Sequence, residues 1–220
     1  MITVLLADDH DLVRTGIRRL LEDVEDIQVV GEAHSGEEAV RQVRELRPDV
    51  VLMDLSMPGM GGMEATRKIA AANPRTRVIV LTMHADKLYP QRLLKAGARG
   101  YLTKGASVTE IVHAIRQVMA DRHYLSPEVA QQVALAGSGG EASPFASLSE
   151  RELQVLLMLM EGDRIADISR RLCLSPKTVS TYRQRLFAKL GVNSDVELTR
   201  LAIRHGLVVA EDPAAYESGN

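Results

Sequence analysis

The 220-residue sequence contains one cysteine, no tryptophan and only 3% aromatic residues. A single cysteine, Cys173, cannot close an internal disulfide, which excludes the stapled scaffolds of small secreted domains. So few aromatics leave little with which to stack sugars or unpaired bases. Long apolar runs are missing too: Val155 to Met160 falls far short of the roughly 20 residues that a bilayer span needs, so no membrane role is expected. Met1-Ile2-Thr3-Val4 lacks the charged-then-apolar pattern of a secretion leader, and a reducing, cytoplasmic location is the expectation. The Gly-rich lysine motif of P-loop NTPases is also absent. Neither charge is in excess. Lys+Arg 27 against Asp+Glu 29 gives a net charge of -2, so any nucleic-acid surface must be a local patch.

A 45% hydrophobic content over this length is enough for two compact cores. In the first half, strand-length apolar runs repeatedly end in polar chemistry. Val50-Val51-Leu52-Met53 stops at Asp54, and Pro58-Gly59 then forces a loop. Ile2 to Ala7 stops at Asp8 and Asp9, Arg77 to Leu81 at Thr82, and Gly100 to Thr103 at Lys104; Ile27 to Ala33 is a further strand. Between them lie amphipathic helices, two of which open on the capping boxes Ser35/Glu38 and Ser107/Glu110. Arg14, Arg18 and Arg19 fall between the apolar positions of the first helix. Five strands alternating with five helices predict an α/β doubly wound, five-stranded parallel sheet over residues 1–125. Asp8, Asp9, Asp54, Thr82 and Lys104 then share one sheet edge, where such folds place their ligands.

Carboxylates gathered this way repel one another, and an oxygen-only set suits Mg²⁺. An ammonium and a hydroxyl facing the same pocket add donors for a tetrahedral anion. That is the inventory an aspartate needs in order to accept a phosphoryl group. His10 and His84 read as solvated loop residues.

Beyond residue 125 the composition changes. Residues 126–147 read as a short helix opened by Ser126-Pro127, followed by the flexible linker Gly137 to Pro144. Residues 148–210 carry four helices and no strand signal, and 211–220 a polar, disordered tail. Between Arg164 and Lys189 seven cations face one acid, Asp167. On the helix opened by Ser175-Pro176, Val179, Leu186 and Leu190 share an apolar face while Lys177, Ser180, Thr181 and Gln184 point elsewhere, a pattern suited to major-groove reading with phosphate clamping.

The stretches Leu5-Leu6-Ala7-Asp8-Asp9-His10, Met53-Asp54-Leu55-Ser56-Met57-Pro58-Gly59, Leu81-Thr82 and Tyr101-Leu102-Thr103-Lys104 resemble the receiver domain of two-component response regulators (flavodoxin-like fold). The resemblance implies that Asp54 accepts phosphate from a sensor kinase histidine. It further implies that Asp9, Asp54 and the Ser56 carbonyl ligate Mg²⁺, with Asp8 acting largely through water. Thr82 and Tyr101 would form a switch pair and Lys104 would hold the phosphate. Such a protein slowly loses its own aspartyl phosphate and is not a turnover enzyme. Met83 and Gly105 depart from the commoner receiver pattern, which has a small residue and a proline there.

Leu148-Ser149-Glu150-Arg151-Glu152, Leu172 to Val179 and Leu186 to Gly191 resemble the helix-turn-helix domain of the LuxR/FixJ/NarL class. By position in that motif, Ser180, Thr181 and Gln184 would face bases, and Lys177, Thr178, Arg183, Arg185 and Lys189 would face phosphates. Asp11 to Ile17, Leu172 to Thr178 and Ser194 to Leu198 are similar to the GacA/UvrY/SirA group. That likeness implies control of small regulatory RNA genes under a hybrid sensor kinase, with promoter DNA, a second copy of the chain on activation and RNA polymerase as partners. The linker reaches but transmits no force. Phosphate is therefore expected to change which surfaces touch, the receiver covering or misorienting the Lys177 to Lys189 helix beforehand. A competing reading, a haloacid-dehalogenase-like phosphatase with Asp9 as nucleophile, would need a further acidic pair at a strand end after Lys104, and the sequence has none.

Overall fold

Runs of Val, Ile and Leu without polar interruption become strands covered on both faces. In the computed structural model, which describes residues 1–82, 89–127, 129–131, 144–160 and 162–205, these are β1 (Ile2–Ala7), β2 (Ile27–Ala33), β3 (Val50–Asp54), β4 (Arg77–Thr82) and β5 (Gly100–Thr103). All pair in parallel, in the order β2-β1-β3-β4-β5 with a sixth strand beyond β5. The expectation of five strands is corrected by β6 (Tyr124–Leu125), which adds to the β5 edge through Tyr124 N–H to Arg99 O (3.0 Å) and Ser126 N–H to Tyr101 O (3.2 Å). Two residues are too few to carry a periodic signal.

Helices α1 (Asp11–Glu22), α2 (Gly36–Leu46), α3 (Gly62–Ala72), α4 (Tyr89–Lys95) and α5 (Val108–Met119) fill the crossovers. Strand alternation divides the core. Leu5, Val51, Met53, Val78, Val80 and Tyr101 pack on the side of α2 and α3, and Val4, Leu6, Val50, Leu52, Ile79, Leu81 and Leu102 on that of α5. Ser35 and Ser107 accept the N–H of Glu38 and Glu110, so both N-caps form at their expected places. The glutamates bond elsewhere, Glu38 to His34 N–H (2.9 Å) and Glu110 to the Tyr124 hydroxyl (3.2 Å), leaving the reciprocal half of each capping box unmade. Because the strand order reverses at β1 and β3, a crevice opens at their carboxyl ends.

The second half is helical: a 3₁₀ turn (Pro144–Ser147), then α6 (Glu150–Met160), α7 (Ile165–Arg171), α8 (Pro176–Leu190) and α9 (Asp195–Arg204). Ser149 and Glu152 cap α6 reciprocally, at 2.7 and 3.3 Å. Ser175 caps α8, with Pro176 at its first position, and Gly191 (φ 65°) ends it left-handed. Val179 and Leu186 are buried, so this face of α8 seats against α6 and α7. Between α7 and α8 the chain turns through Cys173 (φ 53°), closed by Leu174 N–H to Ser169 O (3.0 Å) and Ser169 Oγ to Leu174 O (2.6 Å). Among the described residues no helix is long and apolar enough to cross a membrane. Met83, His84, the linker from Gly137 to Ser143 and the tail from 211 to 220 lie outside the described residues.

Candidate functional site

Four strand ends converge. Asp54 closes β3 with its side chain 2% exposed, Asp8 follows β1 at 6%, and Lys104 follows β5 with its side chain 5% exposed. The Lys104 ammonium lies 2.7 Å from Asp8 Oδ2 and 3.0 Å from Asp54 Oδ2, so one cation spans two carboxylates. Ligand-capable atoms of Asp8, Asp9, His10 and Asp54 all fall within 4.8 Å of one another. The β3–α3 loop stays close to this pocket because Gly62 N–H bonds back to Leu55 O (3.1 Å), and a methyl on Gly62 would lie 1.9 Å from the Asp54 carbonyl oxygen. Thr82 is buried at the end of β4, and its carbonyl accepts the Lys104 N–H at 2.8 Å. Tyr101 is fully buried on the α2 and α3 side of the sheet.

Burial raises the Asp54 carboxyl above the ordinary range; the Lys104 charge works against this, and Asp8 adds to it. Burial alone would depress Lys104, but the Asp54 charge and the close ion pairs with Asp8 and Asp54 outweigh it and hold the ammonium protonated. Asp8 Oδ2, Asp9 Oδ1 and Asp54 Oδ2 are buried and accept no hydrogen bond of good geometry. Lys104 approaches Asp8 Oδ2 and Asp54 Oδ2, and His10 Nδ1 approaches Asp9 Oδ1 (3.1 Å), as ion pairs, while the other Asp8 oxygen, Oδ1, takes the His10 backbone N–H (2.8 Å) and Nδ1 (3.1 Å). Buried carboxylate oxygens left this way are suited to a hard divalent cation.

Arg14 is the site residue that periodicity hides. It falls between the apolar positions of α1, yet it is 5% exposed. Its guanidinium donates to Asp8 O (2.8 Å), Asp11 (2.6 Å) and Glu32 (2.6 Å), fixing the turn that carries the acids. The Asp11/Arg14 spacing on one helix face was the available signal. Gly105 stands in open surroundings, where a Cβ would meet only Thr103 Oγ1 at 3.9 Å.

On α8, Lys177, Gln184 and Arg185 are exposed, and Ser180 and Thr181 half-buried. Thr181 Oγ bonds back to Lys177 O (2.9 Å), and the Thr178 hydroxyl meets Ser175 Oγ at 2.8 Å. Two of the expected phosphate-facing cations have partners within the domain. Arg183 pairs with Asp195 at 2.7 Å and lies over the Phe187 ring, 4.4 Å from its centroid. Lys189 Nζ is 2.7 Å from Glu152 and 3.1 Å from Ser147 O.

A parallel sheet with a buried aspartate, neighbouring acids and a lysine at its switch point, joined to a helix-turn-helix unit, defines the response-regulator class. The chain belongs to it: residues 4–116 match the response regulator receiver domain and residues 146–202 the luxR family of bacterial regulatory proteins. It is 56% identical to the response regulator GacA of Pseudomonas aeruginosa over 212 residues, covering 96% of this chain and 99% of that one. It is also 56% identical to the response regulator UvrY of Escherichia coli K12 over 213 residues, covering 96% and 98%. RcsB from Salmonella enterica serovar Typhimurium, solved bound to promoter P1flhDC in the presence of phosphomimetic BeF3-, superposes with a TM-score of 0.66 at 28% identity, covering 91% of this chain and 97% of that one. The protein is a phosphorylation-dependent, DNA-binding transcription regulator of the GacA/UvrY type. These matches set aside the phosphatase alternative.

Proposed function

We propose that Asp54 accepts a phosphoryl group from the histidine of a hybrid sensor kinase, and that the modified chain binds promoter DNA as a dimer through α8. The observation that carries this reading is the single ammonium of Lys104 between Asp8 and Asp54 in a buried, hydrogen-bond-poor acid pocket. An Asp54 oxygen attacks phosphorus, the bond from phosphorus to the kinase imidazole breaks, and an acyl phosphate forms. Lys104 then takes phosphoryl oxygens in charge-assisted bonds, and Thr82 and Tyr101 respond as the switch pair. Asp9, Asp54 and the Ser56 carbonyl, with Asp8 through water, would hold Mg²⁺. When bound, the cation supplies charge neutralisation for the incoming group. The chain slowly hydrolyses its own acyl phosphate and turns over no other substrate.

The proposed division is 1–125 for the receiver, 126–147 for the connection, 148–210 for the DNA-binding unit and 211–220 for the tail. On DNA, Ser180, Thr181 and Gln184 face bases, while Lys177, Thr178, Arg183, Arg185 and Lys189 face phosphates. Arg183 and Lys189 leave Asp195 and Glu152 to do so. Likeness to GacA and UvrY supports small regulatory RNA genes as targets, RNA polymerase as a further contact and the cytoplasm as location. The test is mass spectrometry after incubation with acetyl phosphate. A Mg²⁺-dependent phosphoryl group on Asp54 is expected, and none in Asp54→Asn; phosphate on Asp8 or Asp9 of that variant refutes the assignment.

A further inference from the structure

The end of the sheet remote from Asp54 gathers cations that phosphotransfer and DNA binding leave unused. Gly100 pairs with Ile79 on one side and Tyr124 on the other, so the amino ends of β4, β5 and β6 lie side by side. Arg77 opens β4, while Arg99 and His123 directly precede β5 and β6. The Arg99 backbone ties the three together, its N–H donating to Val78 O (2.8 Å) and its carbonyl accepting from Tyr124 N–H (3.0 Å). These three residues and Asp121 line a cavity of about 310 Å³, with Ala70 of α3 and Leu94 of α4 on its wall. Elsewhere in the receiver Arg14, Arg18, Arg41, Arg67 and Arg116 each hold a carboxylate. Among the described residues Arg99 and His123 make no side-chain hydrogen bond or ion pair, and neither do Arg75 and Arg122, which flank the cavity in sequence.

Asp121 is the one acid lining the cavity among the described residues, and it already behaves as a seated anion. Its carboxylate takes Arg77 Nη2 at 2.7 Å, a bond that holds it below the ordinary carboxylate range with the Arg99 charge contributing. Arg77 is aimed by a second bond, from Nη1 to Arg75 O (2.5 Å). The Asp121 side chain is nevertheless 75% exposed, so it can swing into water and yield its place. We infer that this cavity is a seat for a phosphate dianion, free or carried on a small ester, which displaces Asp121 and bonds Arg77, Arg99 and His123. Guanidinium forks match phosphate oxygens two at a time, and a dianion gains more from two such forks than a singly charged carboxylate does. The volume is at the lower end for ligand pockets, and apart from the imidazole no aromatic ring lines it, which suits a sugar- or glycerol-sized body better than a nucleobase. A duplex backbone is a convex ridge, whereas these cations surround a hollow. The seat lies at the amino ends of the strands and the phosphoacceptor at their carboxyl ends, so neither reading depends on the other.

Full-length protein without Mg²⁺ is titrated with inorganic phosphate and, separately, with glycerol phosphate at constant ionic strength, while backbone amide shifts are followed by NMR. Saturable shifts confined to residues 75–78, 97–100 and 121–124 are expected. Arg99→Ala, which removes no bond of the fold, should weaken binding about tenfold, the worth of one charge-assisted contact. Asp121→Asn keeps a residue type that tolerates the local φ of 57° and should tighten binding about two- to fivefold by removing the internal competitor. Tighter binding of the ester names a phosphorylated metabolite as the occupant, and any other order of the two probes names free phosphate; both outcomes uphold the seat. Affinity unmoved by either substitution overturns it, and so does a shift pattern centred on Asp8, Asp54 and Lys104. If neither probe binds, the inference fails outright, and a loss of duplex affinity in Arg99→Ala would then assign the cluster to nucleic-acid backbone.

Discussion

Replacing Arg14 with methionine keeps the apolar stem of a 5% exposed side chain and removes three charge-assisted bonds. The three partners do not suffer alike. Asp11, with its side chain 83% exposed, returns to water, and Glu32 retains Arg18. Asp8 O loses a buried donor. Breaking a buried ion pair costs about 3 to 5 kcal/mol when the partner is stranded. With only the Asp8 carbonyl stranded, the expected cost falls to about 2 kcal/mol. The larger consequence is for the acids that this turn carries. Loss of a residue that orients metal ligands weakens metal affinity by roughly 10- to 100-fold, and a loss near tenfold is expected for Mg²⁺ here. Isothermal titration with Mg²⁺ and a thermal melt check the two effects in one preparation. Arg18→Met is the control: its side chain is 45% exposed, and the change should stay within about 0.5 kcal/mol. An Arg14→Met protein with wild-type Mg²⁺ affinity and melting temperature would show that the three short bonds position nothing.

DNA affinity should fall steeply with salt, and Lys177→Ala should weaken every sequence alike, whereas Gln184→Ala should relax discrimination at one base position by roughly 1 to 3 kcal/mol. A sequence-resolved binding assay decides, and the same uniform loss from both variants rules out Gln184 as a base reader. The Glu152 carboxylate, 4% exposed, is opposed by burial but held below its usual 4.5 by Lys189 and the Ser149 bonds. Its folded value being lower than its unfolded one, its stabilisation is present above pH 4.5 and is lost as pH falls through the folded value. Melting followed from pH 7 to 3 should therefore show a steeper fall in wild type than in Glu152→Gln, and parallel curves would contradict the pairing.

The sequence by itself determined the sheet and the edge at which its chemistry gathers. Apolar runs of strand length ending at Asp8, Asp54, Thr82 and Lys104 are local patterns, and the parallel crossover rule needs nothing further to put those four ends together. The caps at Ser35 and Ser107 were equally legible, because each depends on residues three positions apart, and that at Ser175 because Pro176 follows it directly. The two-residue β6 was not, since its only support is hydrogen bonding to β5. Helical periodicity set Arg14 only between the apolar positions of α1, and the tertiary structure buried it, because Glu32 on β2 and the Asp8 carbonyl supply partners from other elements. Lys189 and Arg183 read as exposed cations for the same reason: the acids that hold them, Glu152 and Asp195, lie 37 and 12 residues away. The bonds of Gly59 to Arg171 O (3.0 Å) and Arg151 Nη1 (2.6 Å) could come only from the structure. They use mainly backbone groups, which every residue carries, and so leave no mark in the identity of the side chains.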